Sequence, residues 1–475
     1  MFDAYVTFQA RLRPHAMALI TPERWATYAE LEADVNRLAA ALRNLGITPA
    51  RGVVALPIRN LYLKHVALLA LARLGVVSSP ADDPDADVYL VDAEETRGPK
   101  GLALTGAWVA AALDAEPVPV APVRGTPETI TRVMLSSGTT KVSRRVARSW
   151  RVLEDNTRMA ALTYLGGKTG RWVSMTGLDT GLGQGMTLAA WHSGAAIVDG
   201  VSVARLAAEF DALQPTIVGL TPIFLRGLLQ ALPAACAVRP GLRLVTTGAV
   251  LSRPVALEAR LRLSSDILIT YGATECGSIS MADGAWLESV SACAGYASPG
   301  VSIEVVDAEG APVPAGEQGE VLIKSDRVAE GYLNDPEATE RCFRNGGFYP
   351  GDMGRLAPDG MLVIDGRKDE RMNFGGVKYL PNLLEDAAMG CSGVVDCACF
   401  AVPDAQGIDQ CWLAVVTGEG FDRARLAQMV KARPQVLPPV RFAWTEAIPR
   451  SISGKIERQK LRAETMAALG INDPG

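Results

Sequence analysis

"PTIVGLTPIFLRGLLQAL", residues 215–232, reads as a strand that runs straight into a helix. The same alternation lies on either side of it. "GAAIVDG" (194–200) precedes it, and "LRLVTTGAVLS" (242–252) and "DILITYG" (266–272) follow. Upstream, "TYAELEADVNRLAAALRNLG" (27–46) has apolar residues at helical spacing and ends on a glycine stop. "VVALPI" (53–58) then reads as a short buried strand, "LYLKHVALLALARLG" (61–75) as a second helix and "VVSSP" (76–80) as another strand and turn. Strand and helix in alternation predict an α/β chain, a parallel sheet covered by helices. From about residue 295 the texture changes. "GVSIEVVDAEGAPVPAGEQGEVLIKS" (300–325) holds short strands between Gly, Pro and Asp turns, a β-rich unit. After "MLVIDGRKDERM" (361–372) the chain restarts, and "FAVPDAQG" (400–407) and "CWLAVVTG" (411–418) open a separate α+β domain. The joint falls at residues 366–369, and there is no internal repeat or low-complexity tract.

Composition narrows the function. The chain has 475 residues, 48% hydrophobic and 21% charged, which suits a soluble protein of two or three units with a large core. A net charge of −5 argues against a nucleic-acid surface. The first residues lack a sustained apolar core of a signal peptide, and no apolar run is long enough to span a bilayer. The eight cysteines form no CxxC pair, and Cys391, Cys397 and Cys399 have no histidine nearby, so reduced thiols in a cytoplasmic protein are expected. The three histidines are His15, His65 and His192; His65 falls within a helical pattern and His192 within an apolar stretch. Chemistry therefore has to run on carboxylates, lysine, arginine and hydroxyls rather than on a histidine triad or a multi-histidine metal site.

"MLSSGTTKVSRRVARSW" (134–150) supplies such groups. A glycine-centred turn with hydroxyls is followed by Lys141, Arg144, Arg145 and Arg148. Backbone N–H groups, hydroxyls and cations so close together suit a phosphate chain. The turn is not a GxxxxGK[ST] loop, which occurs nowhere in the chain. Four further motifs follow in order: "YGATECG" (271–277), "GFYPGDMGRLAPDG" (347–360), "DGRKDERMNFGGVKYLP" (365–381) and "PRSISGKIERQKLR" (449–462).

This ordered set resembles the acyl-adenylate-forming superfamily of acyl-CoA synthetases, nonribosomal peptide adenylation domains and luciferases, over residues 27–462. The resemblance implies a large N-terminal AMP-binding domain, residues 1–366, of two α/β units plus the β-rich unit. It also implies a small mobile α+β C-terminal domain, residues 367–475, that carries the catalytic lysine. It implies ATP and Mg2+ as cofactors. In turn, a carboxylic acid is activated as its acyl adenylate with release of pyrophosphate, then passed to a thiol. That thiol is coenzyme A or the phosphopantetheine of a separate carrier protein, since no carrier-like serine motif follows Arg462. The rivals are a ligase that makes an amide or N–N bond without a thioester, and a nucleotide-binding regulator that has lost catalysis.

Residue by residue, Ser136, Ser137, Gly138, Thr139 and Thr140 match the phosphate loop of the superfamily. Phosphoryl transfer is stabilised by positioning and by donors around the oxygens. The loop departs from the usual pattern: Lys141 and Arg145 stand at glycines, and Arg144 at the usual lysine. Tyr271 and Gly272, with Gly248 and Ala249, match the adenine pocket. Thr274 matches the α-phosphate contact and Glu275 the magnesium carboxylate. Asp352 and Arg367 match the ribose contacts; a carboxylate can accept from two hydroxyls at once. Asp369 matches the hinge, and Gly375 and Gly376 the loop that lines the thiol tunnel. Lys455 matches the lysine that reaches the acyl carboxylate and the α-phosphate, where an ammonium lowers the repulsion between two anions. Asp179, in "SMTGLDTGLGQGM" (174–186), falls at the wall of the acyl pocket. A carboxylate there would hold an amine on the acid; the alternatives are pairing by a protein cation and a loop aspartate facing water.

Overall fold

The computed structural model describes residues 1–92, 100–136, 143–165, 168–233, 235–374, 377–404, 409–432, 439–450 and 456–469. The stretch at 215–232 forms the strand Pro215–Leu220 and the helix Pro222–Ala231, with Pro222 in the helix's first turn, where its missing N–H costs nothing. The strand is parallel to Arg171–Ser174 on one side and Arg243–Thr246 on the other. Asp266–Ala273 continues the parallel run. Pro215, Ile217, Val218, Gly219 and Leu220 are buried, as a strand with helices on both faces requires.

A second sheet of seven strands lies before it in sequence. Ile130–Ser136, Val77–Ser79, Val53–Ala55, Val88–Val91 and Gly101–Ala103 are parallel neighbours in that order. Arg144–Ser149 adds antiparallel to Ile130–Ser136, and Tyr332–Leu333 closes the edge. The helix Tyr28–Asn44 starts in a capping box: Thr27 accepts from the Glu30 amide while Glu30 accepts from the Thr27 amide. The helix Leu61–Arg73 is buried almost all round, and His65 is fully buried, its Nδ1 2.8 Å from the Leu61 carbonyl.

Two long-range pairings join stretches that the sequence pattern treats one by one. The β-rich region shares a sheet with the second α/β unit. Cys293–Ala297 pairs with both Gly277–Asp283 and Leu362–Arg367, so the second α/β unit and the β-rich strands form one fifteen-stranded sheet. The N-terminal strand Met17–Ile20 also joins this later sheet, parallel to Ala196–Val198.

Beyond the joint come the hairpin Met372–Phe374 and Val377–Tyr379, the helix Asn382–Met389, and a sheet of Val394–Pro403, Asp409–Thr417 and Val440–Trp444. Its two apolar clusters draw only on residues from Met372 onward, and Cys391, Cys397, Cys399 and Cys411 are packed within one of them. Arg226 reaches across to Asp396 at 3.3 Å, and the Ser291 hydroxyl donates to Asp386, also at 3.3 Å. No helix among the described residues is long and apolar enough to cross a membrane.

Candidate active site

A cleft of about 1940 Å³ opens where the two large sheets and the C-terminal unit meet. Ser136 and Arg144 line it from the seven-stranded sheet. Asp179, Gly248, Ala249, Tyr271, Gly272, Thr274 and Glu275 line it from the fifteen-stranded sheet and the loops beside it, and Asp352, Arg367 and Asp369 from the approach to the joint. Ser137, Gly138, Thr139, Thr140, Gly375, Gly376 and Lys455 lie outside the described residues. Ile456, Glu457 and Arg458, directly after Lys455, line the cleft.

The YGATECG segment is a tight reversal between Asp266–Ala273 and Gly277–Asp283. Gly272 is obligatory there, since a Cβ would meet the Gly277 carbonyl oxygen at 2.6 Å. At one end of the segment the Tyr271 hydroxyl donates to Asp352 Oδ2 at 2.5 Å. Burial, then the neighbouring Asp352 carboxylate, pushes the tyrosine well above its ordinary range, so it stays a neutral donor. Arg367 stands opposite Asp352 in the strand register. It donates to Asp352 Oδ1 at 3.4 Å, to the Pro350 carbonyl at 2.6 Å and to Asp369 Oδ1 at 3.1 Å. Burial opposes the Arg367 charge, but Asp352 and Asp369 outweigh it and hold the guanidinium protonated. A carboxylate such as Asp352 can accept from several donors at once.

At the other end Glu275 is 7% exposed, and its Oε1 accepts from the Tyr332 hydroxyl at 2.7 Å. Burial and the Glu275 charge together push the Tyr332 phenol up. Arg148, also buried, donates to the carbonyl oxygens of Thr274 and of Arg327, the latter at 3.1 Å. Cys276 is pushed up to about 12 by burial and is an inert thiol. Tyr332 and Arg148 hold the Thr274–Glu275 pair from behind, and nothing in the sequence pattern marked them for that task. Arg148 was visible only as one of four loop charges, and Tyr332 sits on a two-residue edge strand.

Two of those loop charges thus turn inward. Arg145 pairs with the fully buried Asp83 at 3.0 Å, and Arg148 braces Thr274. Arg144 stays beside the cleft, 3.4 Å from Asp335 and stacked over the Tyr332 ring at 5.2 Å.

Asp179 needs a correction. The reason to give it a substrate amine was a carboxylate without a cation. Here Lys64 Nζ pairs with Asp179 Oδ2, and Arg132 Nη2 lies 3.7 Å from Oδ1. Of the alternatives, pairing by a protein cation is the one observed; the Asp179 side chain is half-buried and lines the cleft.

A cleft with room for a nucleotide and a second substrate, lined by the Tyr271–Asp352 pair and the braced Thr274–Glu275 pair, accords with an acyl-adenylate-forming ligase. The chain belongs to the AMP-binding enzyme family, which matches it over residues 6–88 and 85–333. It is similar to the medium/long-chain-fatty-acid–[acyl-carrier-protein] ligase FadD10 of Mycobacterium tuberculosis, with 27% identity over 97% of this chain and 94% of that one. Its fold matches the o-succinylbenzoate coenzyme A synthetase MenE of Bacillus subtilis in complex with ATP and magnesium ion: TM-score 0.82, 20% identity, 96% of this chain and 98% of the other. It also matches the amide bond synthetase McbA of Marinactinospora thermotolerans: TM-score 0.79, 23% identity, 98% of this chain and 100% of the other.

Proposed function

We propose that this ligase activates a small carboxylic acid with ATP and then hands the acyl group to a thiol, coenzyme A or a carrier phosphopantetheine. The observation that carries the reading is the spacing of roles along one cleft, with Tyr271 and Asp352 at one end of the YGATECG turn and Thr274 and Glu275 at the other. In the first half-reaction a carboxylate oxygen bonds to the α-phosphorus and the α–β anhydride breaks, releasing pyrophosphate. Tyr271 packs along adenine, and Asp352, with Arg367, receives the ribose hydroxyls. Thr274 donates to the α-phosphate, where the bracing of its carbonyl by Arg148 fixes its position. The loop from Ser136 to Thr140, with Arg144, cradles the departing phosphates. Lys455 brings an ammonium between the two anions that must meet.

Glu275 is the residue that would hold Mg2+. It is an oxygen donor at the cleft with one oxygen already fixed by Tyr332. Magnesium is typically bound by one or two carboxylates plus substrate phosphates rather than by a full protein cage. When bound, the ion neutralises phosphate charge. In the second half-reaction the thiol sulfur attacks the acyl carbon and AMP leaves. Gly375 and Gly376 line the tunnel for that thiol, and residues 367–475 turn about Asp369 to exchange Lys455 for that loop.

Lys64 already pairs with Asp179 and Arg132 stands 3.7 Å from its other oxygen, so the reading does not call on an amine of the acid. The test is acid-dependent exchange of labelled pyrophosphate into ATP, followed by addition of coenzyme A, a phosphopantetheinylated carrier, or an amine. A thioester with either thiol is expected. An amide formed from the adenylate with no thioester would overturn the thiol step.

A further inference from the structure

The Lys64–Asp179–Arg132 cluster has an uneven charge. Two cations share one carboxylate, and all three side chains are withdrawn from solvent: Arg132 is fully buried, Lys64 is 7% exposed and Asp179 half-buried. Asp179 is the one opposite charge within salt-bridge reach of Arg132 among the described residues. Arg132 Nη1 donates to the Ser78 hydroxyl at 3.1 Å, while its Nε and Nη2 have no hydrogen-bond acceptor. Gln184 is 3% exposed, lines the cleft, and its Nε2 has no acceptor either. Asp179 Oδ1 also lacks a hydrogen bond, but it lies opposite Arg132 Nη2 at 3.7 Å; what is left over is the donors Arg132 Nε and Gln184 Nε2 and one positive charge. Buried donors and charges without partners are costly, so such a set calls for an acceptor that arrives with the ligand.

There is room for one. Gly181 and Gly185 stand one turn apart at the start of the helix Gly181–Ser193. Both line the cleft, and a Cβ added at either would meet nothing within 4 Å. The N-terminus of this thirteen-residue helix adds a positive dipole end to the same side. These residues lie on elements other than those that carry Tyr271, Thr274 and Asp352, which leaves them to the acyl part of the substrate.

We propose that the acid activated here is a dicarboxylic acid, its non-reacting carboxylate received by Lys64 with Gln184 beside it and Arg132 behind. This rests on the reading of the cleft as an acyl-adenylate site. A second carboxylate would balance the cluster's charge. A neutral tail would leave it unbalanced, and an ammonium would bring a third cation against two.

The experiment compares a dicarboxylic acid, its half-amide and the matching ω-amino acid, at several chain lengths, in acid-dependent pyrophosphate exchange. Calorimetric titration of the same acids runs alongside. The dicarboxylate should exceed its half-amide in kcat/KM by about tenfold or more, because a site built for a charged group rejects the analogue that lacks it. Lys64→Met should raise KM for the dicarboxylate more than it lowers kcat, and shrink that discrimination. Should Lys64→Met fold poorly with Asp179 left half-paired, Gln184→Leu keeps the ion pair and should shift the same ratio in the same direction. Preference for the half-amide or the amino acid, or equal losses on all three acids, would overturn the proposal. Dicarboxylate binding without any exchange would uphold this subsite and overturn the ligase reading; exchange with neutral acids and no dicarboxylate binding would do the reverse.

Discussion

Tyr332 shows how a site can depend on a residue with no motif of its own. Its hydroxyl is the donor that fixes Glu275 Oε1 inside a buried pocket. Tyr332→Phe leaves that carboxylate short of a partner and should cost about 1–3 kcal/mol in denaturant unfolding. Because the phenol orients the residue that would hold magnesium, pyrophosphate exchange should also fall roughly 10–100-fold. Wild-type behaviour in both assays would remove the tyrosine from the site. Cys276, next to Glu275, should resist alkylation in the folded protein at pH 8, because burial holds its thiol protonated up to about 12. Mass spectrometry should find label first on the half-buried Cys236 and Cys342. At this scale the sequence pointed to Tyr271, Glu275 and Asp352, and all three line the cleft. The sequence was not legible where a partner decides the role. Asp179 reads as an amine receptor until Lys64, 115 residues away in the chain, is found on it. Arg145 reads as one of four loop charges until Asp83 is found beside it.

At the scale of elements, the turn that carries Thr274 and Glu275 hangs between two strands with almost no slack. Gly272→Ala would set a Cβ 2.6 Å from the Gly277 carbonyl oxygen and should destabilise the protein by about 1–3 kcal/mol, read from the urea midpoint. The strand that leads into the turn is anchored at its start by Asp266, which accepts from Lys168 at 2.6 Å and Arg243 at 2.9 Å. Burial alone would raise the Asp266 carboxyl, but these two bonds outweigh it and hold it below the usual carboxylate range. A depressed folded value means that the contribution is present above the unfolded value and is lost as pH falls through the folded one. Asp266→Asn should therefore lower the melting temperature at neutral pH and flatten its decline in the acid range; an unchanged acid limb would contradict this. The strands and helices themselves were readable because each obeys one period, as at residues 27–46 and 215–232. The joining of Met17–Ile20 to Ala196–Val198, and of the β-rich strands to the second α/β sheet, was not. Such pairings span long separations, and local periodicity carries no record of which edge a strand meets.

In the proposed function the whole molecule serves two half-reactions with one cleft. Lys455 and Gly375–Gly376 both fall beyond the joint in sequence, and the proposal holds that one orientation cannot present both. The pivot proposed at Asp369 is tied by Arg367 to Asp352, the residue assigned to the ribose. Asp369→Pro, which fixes φ and removes an N–H, should leave one half-reaction near its normal rate and abolish the other. Two unimpaired half-reactions would place the hinge elsewhere. The order of the motifs is what suggests this division of labour. It could not convey the acid, because that depends on side chains that meet only in the folded cleft. The central claim is that the chain first makes an acyl adenylate and that Lys455 serves this step alone. It is tested most directly by measuring pyrophosphate exchange, and acyl transfer from a supplied adenylate, for the wild type and Lys455→Ala. Exchange should drop on the order of 10²–10³-fold while transfer persists. Equal damage to both steps, or no acid-dependent exchange by the wild type, would contradict the account.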